Sequence, residues 1–355
     1  MGSALPNSID SQAGYSDALN WLRAQPIDAI GLSLNYPGAS SICQNFDNRR
    51  SADSHFPMIG LECDPSKSKI DIAFRGWTEI LEWTSNDHLI KAGKCLKHLR
   101  ANGFAKVILP SCFLEYDCNH DGYKLSGYFV GIDRSEVPPE ALVVLLNSIV
   151  KKLERQNINL NDRDGILGGV LLGMKRYIQI GFMNGRGNII KVSGEVANQS
   201  GRFATGLAQV INNLNLASQI ETDAVMRMLL KSRSATGIYS LSLDYDLDRQ
   251  KFMPRVGIEI SSTKWSRGAE KEDWDFIESR IKQFAIDNTQ VNFAKTFFHQ
   301  MPWLLEANKG YADRSSLDKQ IDQNHGRYSI NPTHIKVSIL PSGTAIKCYC
   351  VVIPR

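Results

Sequence analysis

Five hairpin phrases, separated by helix-length segments, limit what this chain can fold into more than any other feature of its sequence. They read PMIGLECDPSKSKIDIAFRGW (57–77), FLEYDCNHDGYKLSGYFVGI (113–132), YIQIGFMNGRGNIIKVSGEV (177–196), YSLSLDYDLDRQKFMPRVGIEI (239–260) and HIKVSILPSGTAIKCYCVVI (334–353). Each is a strand, a short turn rich in Asp, Asn, Gly or Ser, and a second strand. The second strands alternate with a period of two: Ile190, Val192 and Val196 fall on one face, Lys191, Ser193 and Glu195 on the other. The same split sets Val256, Ile258 and Ile260 against Arg255, Gly257 and Glu259, and Ile70, Ile72 and Phe74 against Asp71, Ala73 and Arg75. Each ladder therefore has one apolar and one polar face.

The material between hairpins decides what covers the apolar face. Segments 84–103, 137–154, 203–231 and 270–306 carry helical spacing, for example Leu89, Ile90, Leu96 and Leu99 after Asp87. A ββαα unit repeated about five times gives an α+β fold: a ten-stranded antiparallel β-barrel with an outer ring of helices. Closure would turn the polar face inward, and a barrel larger than about eight strands has room inside for a ligand. An open α+β sheet with one wet face fits the same alternation. Residues 1–55 read as an N-terminal extension with one helix at 15–24, and 56–355 as a single barrel domain. The Asn-, Asp-, Ser- and Gly-rich stretch 307–332 reads as a long loop that could cover one end, with Trp303 either at the mouth or packed between helices.

With 43% hydrophobic and 22% charged residues, the chain has a composition suited to a substantial core. A net charge of +4, evenly spread, gives no footprint for nucleic acid. No apolar run reaches the length of a membrane span and no secretory leader is visible, so the expectation is a cytoplasmic monomer without a membrane or nucleic-acid partner. Seven cysteines form no CxxC pair and no Cys/His spacing suited to a metal. Cys348 and Cys350 point to one face of their strand, expected to be the helix-covered one, and read as small buried apolar residues.

Walker loops, HExxH, GxSxG and DDxxD-type aspartate clusters are absent, so no motif requires magnesium. What remains are cations on the polar face: Arg75, Lys124, Lys191, Arg255 and Lys347 occupy related places in successive hairpins. Brought together in a closed lumen they form an anion site, because like charges about 4 Å apart repel by roughly 4 kcal/mol at an effective dielectric near 20. A diphosphate would relieve that repulsion; so would internal pairing with Glu62, Glu115, Glu195 and Glu259. Tyr128 and Tyr349 follow Lys124 and Lys347 at even spacing, so each ring is expected on the cation's side, either packing there or facing a developing carbocation.

The ββαα succession, the first-strand phrases LECD, LEYD and LDYDLD, and the second-strand Lys/Arg phrases resemble the ABBA-fold aromatic prenyltransferases, the PT-barrel family, over about 58–353. That resemblance implies alkylation of an aromatic or other electron-rich acceptor, including a peptide side chain, by an allylic diphosphate. It implies that Glu62 orients the acceptor as the catalytic carboxylate, and that Lys124, Tyr128, Lys191, Arg255, Lys347 and Tyr349 bind and shield the prenyl diphosphate. No cofactor is required on this reading, though magnesium can enter with the diphosphate. The chain departs from the family pattern in having Asp71 before Arg75, Ser193 in place of a tyrosine, and Gly257 and Glu259 after Arg255. Ser193 and Glu259 thereby stand where the family contacts substrate; Glu259 there would weaken diphosphate binding unless it reads the acceptor instead. A non-prenylating barrel that binds a peptide or an anionic small molecule is the alternative these departures favour.

Overall fold

A computed structural model of the chain describes residues 14–25, 34–35, 37–50, 58–64, 69–137, 166–184, 186, 189–196, 237–262, 287–297 and 328–354, with a few positions between them. Ten strands close into an antiparallel barrel: β1 (Met58–Cys63), β2 (Ile70–Trp77), β3 (Ile108–Asn119), β4 (Gly122–Asp133), β5 (Met174–Met183), β6 (Ile189–Val196), β7 (Gly237–Asp246), β8 (Lys251–Ser262), β9 (Tyr328–Leu340) and β10 (Gly343–Pro354). Each strand pairs with its chain neighbours, and β10 returns to β1, opposing Ile59 with Val352 and Cys63 with Cys348. The expected closed barrel is therefore the one that forms, and the open sheet is not. The five hairpin turns share one rim.

The apolar phase of the strands faces out. Ile59, Leu61, Ile70, Ile72, Phe74, Ile190, Val192, Val256, Ile258, Ile335 and Val337 are buried in one continuous core together with side chains of the surrounding helices. Cys348 and Cys350 lie in this layer, and all seven cysteines are free thiols. On the β1–β2 side the cover is α1 (Tyr15–Arg23) and α2 (Ala39–Arg49). Phe74 stands edge-on to Tyr15 and Phe46, with ring centroids 5.6 and 4.8 Å away. Gly14, at the start of α1, has no side chain to cap it, so Asp47 of α2 accepts the first free amides, Tyr15 N–H at 2.7 Å and Ser16 N–H at 2.8 Å. The region before the barrel thus holds a second helix beside the one expected at 15–24.

Helix α3 (Asp87–Leu99) starts one residue earlier than its aspartate suggests, because Asn86 Oδ1 accepts from His88 and Leu89 N–H. Its buried stripe is Leu89, Ala92, Gly93, Leu96 and Leu99. The helices Ile166–Gly173 and 288–297 add further cover. Most of 137–154, 203–231 and 270–306, all of 307–327, and Trp303 lie outside the described residues. Within the expected loop 307–332, Tyr328 onward is strand β9. Pro332, which cannot donate to a ladder, is accommodated by a register shift opposite Tyr349 and Cys350.

The β3–β4 turn requires its glycine twice over. Gly122 has φ of 110°, and a Cβ there would fall 2.4 Å from the Pro37 carbonyl oxygen, against which the turn is packed. Gly122→Ala should cost about 3 kcal/mol in urea unfolding, from left-handed strain and forced displacement of the 37–38 backbone. A loss under ~0.5 kcal/mol would contradict this packing.

Candidate functional site

The polar phase of the strands lines the lumen, and cross-strand register sets which groups meet there. Around the middle of the barrel, Glu62 opposes Tyr349 and Asp71, Glu115 opposes Ala73 and Gly127, and Lys191 opposes Gly181 and Asp244. Continuing round, Ser193 opposes Ser242, Glu259 opposes Lys336, and Lys336 opposes Lys347. Three ammonium groups and three glutamates thus share one enclosed ring.

Most of these charges are paired. Glu62 accepts from Lys347 Nζ and, at 2.5 Å, from the Tyr349 hydroxyl. Burial opposes ionisation of Glu62, but the Lys347 charge and these two hydrogen bonds outweigh it and hold the carboxyl at about 2. Lys336 Nζ donates to Glu259 Oε1 at 2.8 Å and to Ser242 Oγ at 3.2 Å. Gly257 makes room for this arm, since a Cβ there would lie 2.6 Å from Lys336 Cε. Arg255 and Arg186 both approach Asp244 Oδ2, at 3.6 and 3.4 Å. The Tyr349 ring stacks on His334 with centroids 4.2 Å apart, and burial, countered in part by Glu259, keeps His334 below the usual imidazole range.

Two groups in the ring differ. Lys191 is 8% exposed, and among the described residues no carboxylate lies within 4.0 Å of its Nζ, which instead stands 5.4 Å above the face of Phe129. Burial, reinforced by Lys336 and only partly offset by Glu115 and Asp244, lowers its pKa to about 8. Glu115 is half-buried on the inward phase of β3. Burial pushes its carboxyl above the usual range against the pull of Lys191, with Glu62 adding to the rise. Among the described residues its carboxylate has no hydrogen-bonding partner.

The structure places the sequence candidates unevenly. Glu62, Lys191, Ser193, Arg255, Glu259, Lys347 and Tyr349 come together in the lumen. Lys124 does not: it sits at the hairpin rim, 65% exposed, paired with Asp121 at 3.1 Å. Arg75 is exposed toward the opposite end, its guanidinium 5.2 Å from the Phe113 ring centroid. Tyr128 does not share the cation's side as its spacing predicts, for a register shift between Lys124 and Gly127 flips the strand's phase and turns the ring outward, where it stacks on Phe182 at 4.9 Å. Phe129 takes the lumen position instead, filling the space Gly181 leaves beside it.

Sequence reasoning missed Lys336, His334 and Phe129. The first two were visible as HxKxS against Ile335, Val337 and Ile339, the same alternation on a first strand rather than a second. Among the described residues, no group of three or more His, Cys, Asp or Glu side chains could hold a metal ion, and no helix is long and apolar enough to cross a membrane.

The Glu259–Lys336 pair has a defined pH signature. Burial raises the Glu259 pKa, but Lys336 and His334 more than reverse this and set it at about 2, below its ordinary 4.5. A depressed carboxylate contributes stability that is complete above its unfolded pKa and disappears as pH falls through the folded one. Wild type should therefore exceed Glu259→Gln in urea-unfolding stability at neutral pH, with the gap closing between about 4.5 and about 2. A gap independent of pH would show the pair is not ionised as described.

No protein-family model matches the chain, and no curated protein sequence matches it. Among solved structures, it is similar to NotF in complex with brevianamide F and DMSPP, at 10% identity over 98% of this chain and 95% of that one, with a TM-score of 0.49. It is also similar to AnaPT from Neosartorya fischeri, at 9% identity over 98% and 94% of the two chains, with a TM-score of 0.44.

Proposed function

We propose that the barrel lumen catalyses transfer of an allylic group from a prenyl diphosphate to an electron-rich acceptor, an aromatic small molecule or a peptide side chain. The observation that carries this reading is Lys191, a buried ammonium lacking a carboxylate within 4.0 Å among the described residues, with Lys336 and Arg255 as charged neighbours. Such a grouping is costly when empty and is relieved by a multivalent anion.

The reaction this supports begins with ionisation of the allylic C–O bond, whose electron pair leaves with the diphosphate. Lys191, with Arg255 and Lys336 near it, stabilises the charge that builds on the leaving oxygens. Ser193 and Ser242 add hydroxyl donors at the same level of the wall. Phe129, Tyr349 and His334 supply ring faces that exclude water and attract the allylic cation. Magnesium, where it takes part, would be carried by diphosphate oxygens and water.

A second reading is favoured by the pairing itself: Lys347, Lys336 and Arg255 already face Glu62, Glu259 and Asp244, as in a barrel that binds a neutral or mixed-charge ligand without chemistry. Two measurements separate the readings. Inorganic diphosphate and an unreactive dimethylallyl thiolodiphosphate should raise the melting temperature of wild type but not of Lys191→Ala/Arg255→Ala. Mass spectrometry should find alkylated products when indole, tyrosine and short peptides are offered with dimethylallyl or geranyl diphosphate. Absence of both effects in wild type would sink the transferase reading.

A further inference from the structure

The resemblance in sequence assigns the acceptor to Glu62, yet both oxygens of that carboxylate are already engaged, Oε1 by Lys347 and Oε2 by the Tyr349 hydroxyl. Glu259 is likewise held by Lys336. Glu115 is the remaining glutamate of the ring. Its cross-strand neighbours are Ala73 on β2 and Gly127 on β4, so the wall beside it is low on both sides. Two positions along the same strand stands Phe113, opposite Phe129 of β4, giving the notch an aromatic border. A carboxylate between a flat apolar border and two near-absent side chains suits a planar ligand that carries one donor at its edge.

We propose that Glu115, rather than Glu62, reads the acceptor: it accepts a hydrogen bond from an indole N–H or phenol O–H and takes up the acceptor's proton after attack. This rests on the transferase reading above and names its acceptor class, an aromatic with an edge N–H or O–H. The allylic C1–O bond breaks and its electrons depart on diphosphate. An acceptor atom forms the new bond to C1, and the proton that atom or the N–H/O–H group releases passes to the Glu115 carboxylate and then to solvent. Lys191, across the lumen, is the cation whose field steadies the carboxylate between turnovers.

The test compares each aromatic with its methylated counterpart, indole against 1-methylindole and phenol against anisole, by NMR titration of the full chain in the presence of inorganic diphosphate. Wild type should favour the donor-bearing member of at least one pair by about tenfold or more, the worth of a hydrogen bond to a charged acceptor. Glu115→Gln should reduce that preference to within about twofold, whereas Glu62→Gln should not remove it. Glu115→Asp, which keeps the charge but draws it back by one methylene, should also weaken the preference and serves if the glutamine variant does not fold. Wild type without the preference, Glu115 variants that retain it, or its loss in Glu62→Gln alone would each overturn the assignment. Failure of the transferase reading would show separately, as the absence of stabilisation by diphosphate and of any alkylated product.

Discussion

Replacing Lys191 with methionine is expected to stabilise the folded chain and disable it in the same stroke. Burying the ammonium displaces its pKa from 10.5 to about 8, which at neutral pH corresponds to up to about 3 kcal/mol of folding free energy. Because the folded value is the lower one, the cost is complete below about 8 and fades as pH rises toward 10.5. The stability gained by Lys191→Met in urea unfolding should follow that window, largest at neutral pH and nearly gone in strong base. The same variant should lose stabilisation by diphosphate and about a hundredfold to a thousandfold in turnover, the usual effect of removing one group that stabilises developing negative charge. A variant that gains no stability, or keeps its response to diphosphate, would remove Lys191 from the centre of the site. Marginally unfavourable groups kept in a core are where activity and stability are traded against each other.

Glu62→Ala should have the opposite character. Removing the carboxylate strands the Lys347 ammonium and the Tyr349 hydroxyl in the lumen, each now desolvated without the acceptor it was placed against. Breaking one side of such a pair costs about 3 kcal/mol or more, whereas replacing both sides with apolar groups of similar volume is often neutral. Chemical denaturation should therefore show a large loss for Glu62→Ala and recovery of most of it in Glu62→Leu/Lys347→Met. If the single and double variants are equally unstable, the network contributes through packing and not through charge.

The strands and their two faces were legible because alternation is local: each residue's face follows from its neighbour's as long as the phase holds. Where an extra residue breaks the phase, sequence spacing misleads. Lys124 and Tyr128 are an even four positions apart, yet the shift between Lys124 and Gly127 sends one to the rim and the other into the outer core. The helical segments between hairpins imply barrel closure, and the β1–β10 pairing is what realises it. Which carboxylate meets which ammonium could not be read, because that depends on stagger between strands distant in sequence. The pairing of Glu259 with Lys336 and of Glu62 with Lys347 is a property of register and not of any phrase. Lys336 and His334 lie on a first strand, outside the repeated second-strand cation pattern.

The wall is sealed by contacts between its first and last staves, and Glu62 and Tyr349, which meet across that seam, are 287 positions apart. During synthesis, β1 leaves the ribosome before β10 and must wait for it before its edge is covered and its glutamate meets a partner. Long-range pairing of this kind makes folding slow and leaves an adhesive edge open in the interval. The nascent chain therefore carries an incomplete chamber until β10 is made, and the same closing strand that ends its exposure also completes the site.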